Sequence, residues 1–404
     1  MTRPLSLGKG IAALGDEEIA AVNEVLTSRT LFRYDAKPED SRVHAFEAAL
    51  QQRLAVSKAV AVSSGTAALR VALAALGVGC GDEVIVPAFT FIATVNAVVT
   101  MGAVPVFCEV DDTLTMDPLD LATKITPRTA AIMPVHLENV AADMDAILAA
   151  AGGVPVIEDS AQAIGVSYHG RPVGGIGTIG CFSLQTQKNI TTGEGGAVVT
   201  NDEALGLRAA RYQDQGGQFI TQHGSSRGGE LGVPFVGENL RMTEVAGAIA
   251  GVQLGKLDDI LGRLRTNAAA IEKAVGDIDG LVARRRPDPA GSVGSSLTWF
   301  APSQEIAKNF ARRLRKEGIP SAQMYDGLPV YSAPAILARR TASEKGGPWN
   351  CAEHPTDVTY AMGMCPQTED LAARSFIVGI GPGFDAGDCD DVAAAVLKVA
   401  ATLL

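Results

Sequence analysis

VPVIEDSAQAIGVSYHGRPVGGIGTIGCFSLQTQKNITTGEGGAVVT, residues Val154 to Thr200, is the stretch on which the fold turns. The apolar run Val154 to Ile157 has the character of a buried strand, and it delivers two carboxylates, Glu158 and Asp159, at its end. The stretch closes with Lys188 in a polar loop, a Gly-rich turn, and a second strand from Ala197 to Thr200. An acid at a strand's end and a lysine close to it in space are what pyridoxal phosphate needs. The acid keeps the pyridine nitrogen protonated, and the lysine amine forms the Schiff base and later moves the proton. Residue type alone leaves both Glu158 and Asp159 open for the first role.

Outward from that stretch, short apolar strands alternate with helices. Ala59 to Val62, Asp82 to Pro87, Pro105 to Val110 and Ala130 to Val135 read as strands, and helices are expected from Val43 to Leu54 and over Phe89 to Thr100. This is the pattern of a parallel α/β sheet. The first strand runs into Ser63-Ser64-Gly65-Thr66 and then a helix, so free backbone N–H groups and the positive helix end converge where a phosphate fits. Near the N-terminus, Asp16 is the expected cap of a helix. Gly175 to Gly180 satisfies G-x-G-x-x-G, but it leads into a strand rather than a helix and is read as a turn.

Beyond Gly195, Gln213 to Gly237 reads as an exposed loop able to move over a site, and Met242 to Ala274 as a long helix. A strand at Ser296 to Ala301, a helix at Ser303 to Glu317, a strand at Phe376 to Ile380 and a last helix from Asp388 complete a smaller α+β unit. The expected division is a large domain over 1–250 and a small one over 251–404.

The chain has 404 residues, 47% hydrophobic and 20% charged, in the range of a folded globular enzyme. Lys plus Arg number 34 against 45 Asp plus Glu, a net charge of −11. That balance argues against nucleic acid and against a basic membrane anchor as partners. No signal peptide and no membrane span are expected, and the six scattered cysteines suggest reduced thiols in a cytoplasmic protein. The spacing Cys351 to His354 is a weak metal signal without a second close pair, and no metal is expected.

E-D-S-A-Q-A-I-G, then G-C-F-S, then Lys188 leading into T-T-G-E-G-G, resembles the DegT/DnrJ/EryC1/StrS family of sugar aminotransferases. The resemblance implies fold type I of the pyridoxal-phosphate transferases, with a mainly parallel sheet in the large domain. It implies Lys188 as the Schiff-base lysine, Asp159 as the partner of the pyridine nitrogen, and Gln162 on the ring hydroxyl. It places Phe91, rather than its neighbour Phe89, on the ring face. The phosphate falls to Gly65, Thr66 and Ser183, with Asn239, in G-E-N-L-R-M, reaching across a homodimer interface into a shared site.

The same resemblance implies transfer from an amino acid, glutamate ahead of glutamine, to a keto-sugar through pyridoxamine phosphate. A nucleotide-linked sugar of an amino-sugar or antibiotic pathway leads, and a cyclitol ketone or eight-carbon sugar is the alternative. Relatives that dehydrate sugars carry histidine in place of the lysine, so Lys188 disfavours dehydration and deamination. Leu31 to Ser41, Glu138 and Gly347 to Pro366 depart from the family pattern. Arg33, Tyr34, Gln185, Arg227 and Tyr325 are the candidate substrate contacts.

Overall fold

The computed structural model describes residues 5–217, 235–343, 347–351 and 358–404. Its centre is a sheet built from β1 (Lys58–Val62), β2 (Glu83–Pro87), β3 (Val104–Cys108), β4 (Thr129–Ile132) and β5 (Ile157–Asp159), joined by two later strands. A two-stranded hairpin, β6 (Ser167–Tyr168) and β7 (Arg171–Pro172), stands apart and precedes β8 (Ile179–Ser183) and β9 (Gly196–Thr200). Strands β3-β2-β4 pair in parallel, parallel bridges Ile132–Val156 and Val135–Asp159 join them to β5, and β5 pairs in parallel with β8. Only β9 runs against its neighbours, β8 and β1. Six of the seven strands therefore end at one edge of the sheet. In open α/β sheets the crevice outside those strand ends is where ligands bind.

The strands are apolar on both faces because helices cover both. Val84, Ile85 and Val86 of β2 are buried without exposure. The helix Gly65–Leu76 follows β1 directly, with the Ser64 side chain accepting from Ala67 N at 3.0 Å. Helix Arg42–Leu54 buries Val43, Phe46, Leu50 and Leu54 on one face, as its spacing indicates. Asp16 is the first residue of its helix rather than the cap. Gly15 takes the cap position, and Glu18 Oε2 accepts its N–H at 2.8 Å, so the third-residue carboxylate does the capping.

Helix Glu244–Val275 is continuous through residue 250, and nothing breaks it at the expected domain boundary. Past it lies an antiparallel sheet of β10 (Val282–Ala283), β11 (Ser296–Phe300), β12 (Ser321–Ala322) and β13 (Ser375–Gly379), in the order β10-β11-β13-β12. The last helix, Ala386–Leu403, starts two residues ahead of the expected Asp388, because Asp385 and Asp388 form a reciprocal capping pair.

Cys80 and Cys351 form a disulfide across 271 residues, with Cα atoms 6.2 Å apart. This corrects the expectation that all six thiols are reduced. Cys80 lies in the turn after helix Gly65–Leu76 and Cys351 ends a short turn at 348–350, a proximity that sequence spacing does not disclose. Cys351 is thereby withdrawn from any metal role, and His354 lies outside the described residues. No helix among the described residues is long and apolar enough to cross a membrane.

Candidate active site

A cavity of about 780 Å³ opens at the strand ends, lined among others by Gly65, Thr66, Phe91, Asp159, Gln162, Ser183, Gln185, Lys188 and Tyr325. Nine sequence-derived candidates from distant parts of the chain thus meet in one space.

Asp159 ends β5 and turns its carboxylate into the cavity. Its Oδ1 accepts from Ala161 N at 3.1 Å and its Oδ2 from Thr94 Oγ1 at 2.9 Å. Burial pushes its pKa above the usual aspartate value, while those two bonds and the nearby Lys188 and His136 pull against that. Glu158, the rival acid, is spent on structure. Its oxygens accept from the backbone N–H groups of Gly174, Ile176 and Gly177 at 2.7, 2.7 and 2.6 Å. His136 Nε2 is 2.9 Å from Glu158 Oε2, and because His136 Nδ1 accepts from Ala142 N, the Nε2 proton is the one donated to Glu158. The G-x-G-x-x-G segment is accordingly a turn wrapped on a buried carboxylate.

Lys188 follows β8 on a turn closed by its own N–H to Gln185 O at 2.9 Å. Burial lowers the basicity of its amine, the charge of Lys9 adds to that lowering, and Asp159 and Glu138 oppose it. An amine held below its ordinary pKa has more free base to attack a carbonyl.

The N-terminus of helix Gly65–Leu76 forms the far wall. Its first intrahelical bond is Ala68 N to Ser64 O, so the amides of Gly65 and Thr66 precede the helical ladder. Gly65 lies so close to β8 that a Cβ there would come within 2.6 Å of Ser183 Cβ. The glycine is needed for that approach, and it brings the Ser183 hydroxyl beside the amides. Phe91 is 55% exposed at the start of helix Ile92–Thr100 and lines the cavity, whereas Phe89 is fully buried. Tyr325 comes in from the C-terminal part of the chain, its ring centroid 6.4 Å from that of Phe91.

Gln162 lines the cavity with its amide partly engaged, donating to Tyr325 Oη at 3.1 Å and accepting from Glu138 N at 3.1 Å. One amide N–H remains for a ligand. Asn239 is exposed and lies outside this chain's own cavity, held by a bridge to Asp214. Arg33 and Tyr34 also lie away from it. Arg33 is paired with Glu47 at 2.9 Å and donates to Ala61 O, and Tyr34 Oη accepts from Gln213. Arg227 lies outside the described residues. Sequence reasoning missed Thr90, Thr94 and Lys9 as cavity residues; Thr90 and Thr94 are four residues apart, bonded to each other at 2.9 Å, and that spacing is the one available signal.

A buried carboxylate, a low-basicity amine, helix amides beside a serine and an exposed aromatic ring together fit pyridoxal phosphate. When bound, the cofactor supplies an electron-withdrawing ring. Fold and site are those of a pyridoxal-phosphate transferase of fold type I.

The pattern of the DegT/DnrJ/EryC1/StrS aminotransferase family matches residues 12–397, and the chain belongs to that family. Among solved structures it is similar to DesV of S. venezuelae in complex with a ketimine intermediate, with 30% identity, TM-score 0.83 and 99% of each chain covered. It is similar to 3-amino-5-hydroxybenzoic acid synthase at 28% identity and TM-score 0.81, over 96% of this chain and 97% of the other. It is also similar to the aminotransferase TlmJ from Streptoalloteichus hindustanus, at 29% identity and TM-score 0.79, with the same coverage. The chain is a pyridoxal-phosphate-dependent aminotransferase.

Proposed function

We propose that this chain moves an amino group from an α-amino acid, glutamate ahead of glutamine, to the ketone of a nucleotide-linked sugar in amino-sugar or antibiotic biosynthesis. The observation that carries the reading is the meeting of Lys188 and Asp159 in one cavity, with the lysine amine held at reduced basicity. Asp159 holds the ring nitrogen's proton, Lys188 carries the proton between the two carbons that exchange it, and Gly65, Thr66 and Ser183 anchor the phosphate. A homodimer in which Asn239 of each subunit reaches the other's phosphate completes the arrangement.

A cyclitol ketone or an eight-carbon sugar is the second reading, and Glu138 can serve the hydroxyls of any of these substrates. This carboxylate lines the cavity and accepts only from Ser296 Oγ, at 3.3 Å, among the described residues, so it has acceptor capacity for ring hydroxyls. Dehydration and deamination are disfavoured because Lys188 is a lysine.

The experiment is visible absorbance of the protein loaded with pyridoxal phosphate, first with L-glutamate and then with a panel of nucleotide-linked 4-keto-sugars and inososes. Loss of the lysine-linked band with glutamate and its return with one ketone supports the reading and names the substrate. A band that forms but ignores every amino donor overturns it.

A further inference from the structure

The N-terminal segment 5–10 is threaded into the cavity wall at the cost of three glycines. A Cβ on Gly10 would come within 2.6 Å of Ile190 Cα, 2.7 Å of Gln253 Oε1 and 2.8 Å of Thr191 N. A Cβ on Gly379 would meet Leu7 Cδ1 at 2.7 Å, and one on Gly381 would meet Ser6 O at 2.0 Å. Gly10 N also donates to Lys188 O at 3.4 Å, which ties the segment to the backbone of the reactive lysine itself. Such close approaches fix where the segment lies, and what it carries into the cavity is Lys9.

Lys9 has no side-chain hydrogen bond or ion pair among the described residues. It lines the cavity half-buried, and burial lowers its pKa while the charge of Glu138 opposes the shift. Of the described residues lining the cavity, the cationic ones are Lys9 and Lys188, and the carboxylates are Glu138, Asp159 and Glu194. An α-amino acid presenting its amine beside Lys188 brings a carboxylate one carbon away, so that charge must also be met close to Lys188. Lys188 is committed to the cofactor. The three carboxylates repel the incoming anion.

We propose that Lys9 binds the α-carboxylate of the amino-acid donor and of the 2-oxo acid it becomes. The proposal rests on the aminotransferase reading above and adds the donor subsite to it.

The test uses two reagents that attack the same lysine–cofactor bond in the loaded enzyme: aminooxyacetate, which has a carboxylate, and hydroxylamine, which has none. Lys9→Gln is expected to slow aminooxyacetate by about 10- to 100-fold, the worth of a hydrogen bond to a charged group, with hydroxylamine changed by less than about 3-fold. Lys9→Arg should restore most of the aminooxyacetate rate, and L-glutamate should show a raised KM with little change in the limiting rate. An unaltered ratio of the two reagents in Lys9→Gln, or an equal loss of both, overturns the proposal. Lys9→Met, which keeps the side-chain stem, is scored by the same ratio if the glutamine variant loads poorly. A wild-type enzyme that transaminates no amino acid would overturn the proposed function instead, and the reagent ratio would still decide the role of Lys9.

Discussion

Glu158 and Asp159 are consecutive on β5 and face opposite ways, Glu158 into the turn amides of Gly174, Ile176 and Gly177 and Asp159 into the cavity. Alternation along a strand makes this division unavoidable, since neighbouring side chains point to opposite faces. One acid therefore holds the site's frame together, and the other is left facing the cavity, where the proposed function assigns it the ring nitrogen. Substitutions at the two positions should separate stability from activity.

Glu158→Gln replaces a buried acceptor of three backbone N–H groups with an amide that has one acceptor oxygen. We expect a loss of about 2–4 kcal/mol in urea unfolding of the apoprotein, from buried donors left unsatisfied. A midpoint within experimental error of wild type would show that the turn does not depend on Glu158.

Asp159→Asn should leave the apoprotein at least as stable as wild type and lower the transfer rate about 10²- to 10³-fold, the usual scale for a lost electrostatic partner. The stability effect has a defined pH sign. Burial raises the folded-state pKa of Asp159 above its unfolded value, so the unfolded chain releases this proton first as pH rises. The carboxyl therefore costs stability across the window upward from its ordinary value of 3.8, and the cost persists above the folded-state pKa. The stability of Asp159→Asn relative to wild type should rise through that window, as measured by denaturant titration at a series of pH values.

Gly65→Ala should be poorly tolerated, because its Cβ would sit 2.6 Å from Ser183 Cβ. Overpacking of this kind costs about 1–3 kcal/mol, and displacement of the helix amides should weaken cofactor binding in equilibrium dialysis. The double variant Gly65→Ala/Ser183→Gly removes the clash and should recover stability without recovering cofactor affinity, because the serine hydroxyl is gone. Full recovery of affinity would exclude Ser183 from the phosphate site.

What the sequence disclosed about this site follows from the range of the interactions involved. Asp159 ends a strand, Gly65 starts a helix and Lys188 sits on the turn after β8, places that local pattern marks and the topology then gathers at one edge. Lys9 is placed by close approaches of Gly10 to Ile190 and of Leu7 to Gly379, contacts between residues far apart in sequence that leave no local signature. Arg33 shows the opposite error. An arginine in a polar loop looks available for substrate, but here it satisfies Glu47, which also accepts the backbone N–H of Ala61 on β1. The Cys80–Cys351 bridge was illegible for the same reason of range.

That bridge gives a direct count. Cys108, Cys181, Cys365 and Cys389 are free and buried, so thiol titration in denaturant should yield four groups without reductant and six after reduction. Paired replacement of Cys80 and Cys351 by serine should lower the unfolding free energy by about 2–5 kcal/mol and leave the absorbance of the loaded cofactor unchanged. Six reactive thiols before reduction would show that the pair is open in solution.

Asn239 tests how the site is completed. It is exposed, held at the surface by its bridge to Asp214, and absent from the lining of its own chain's cavity. If it serves a partner's phosphate, each site takes Lys188 from one subunit and Asn239 from the other. Lys188→Ala and Asn239→Ala homodimers should then both be impaired, the first without the lysine-linked band and the second through weak cofactor binding. In a dimer of one Lys188→Ala and one Asn239→Ala subunit, one site loses both residues and the other keeps both. Random reassortment of the two variants should therefore restore about a quarter of the wild-type activity, since half the dimers are mixed and each has one intact site. Activity no higher than the average of the two parent homodimers would mean that Asn239 does not act across the interface.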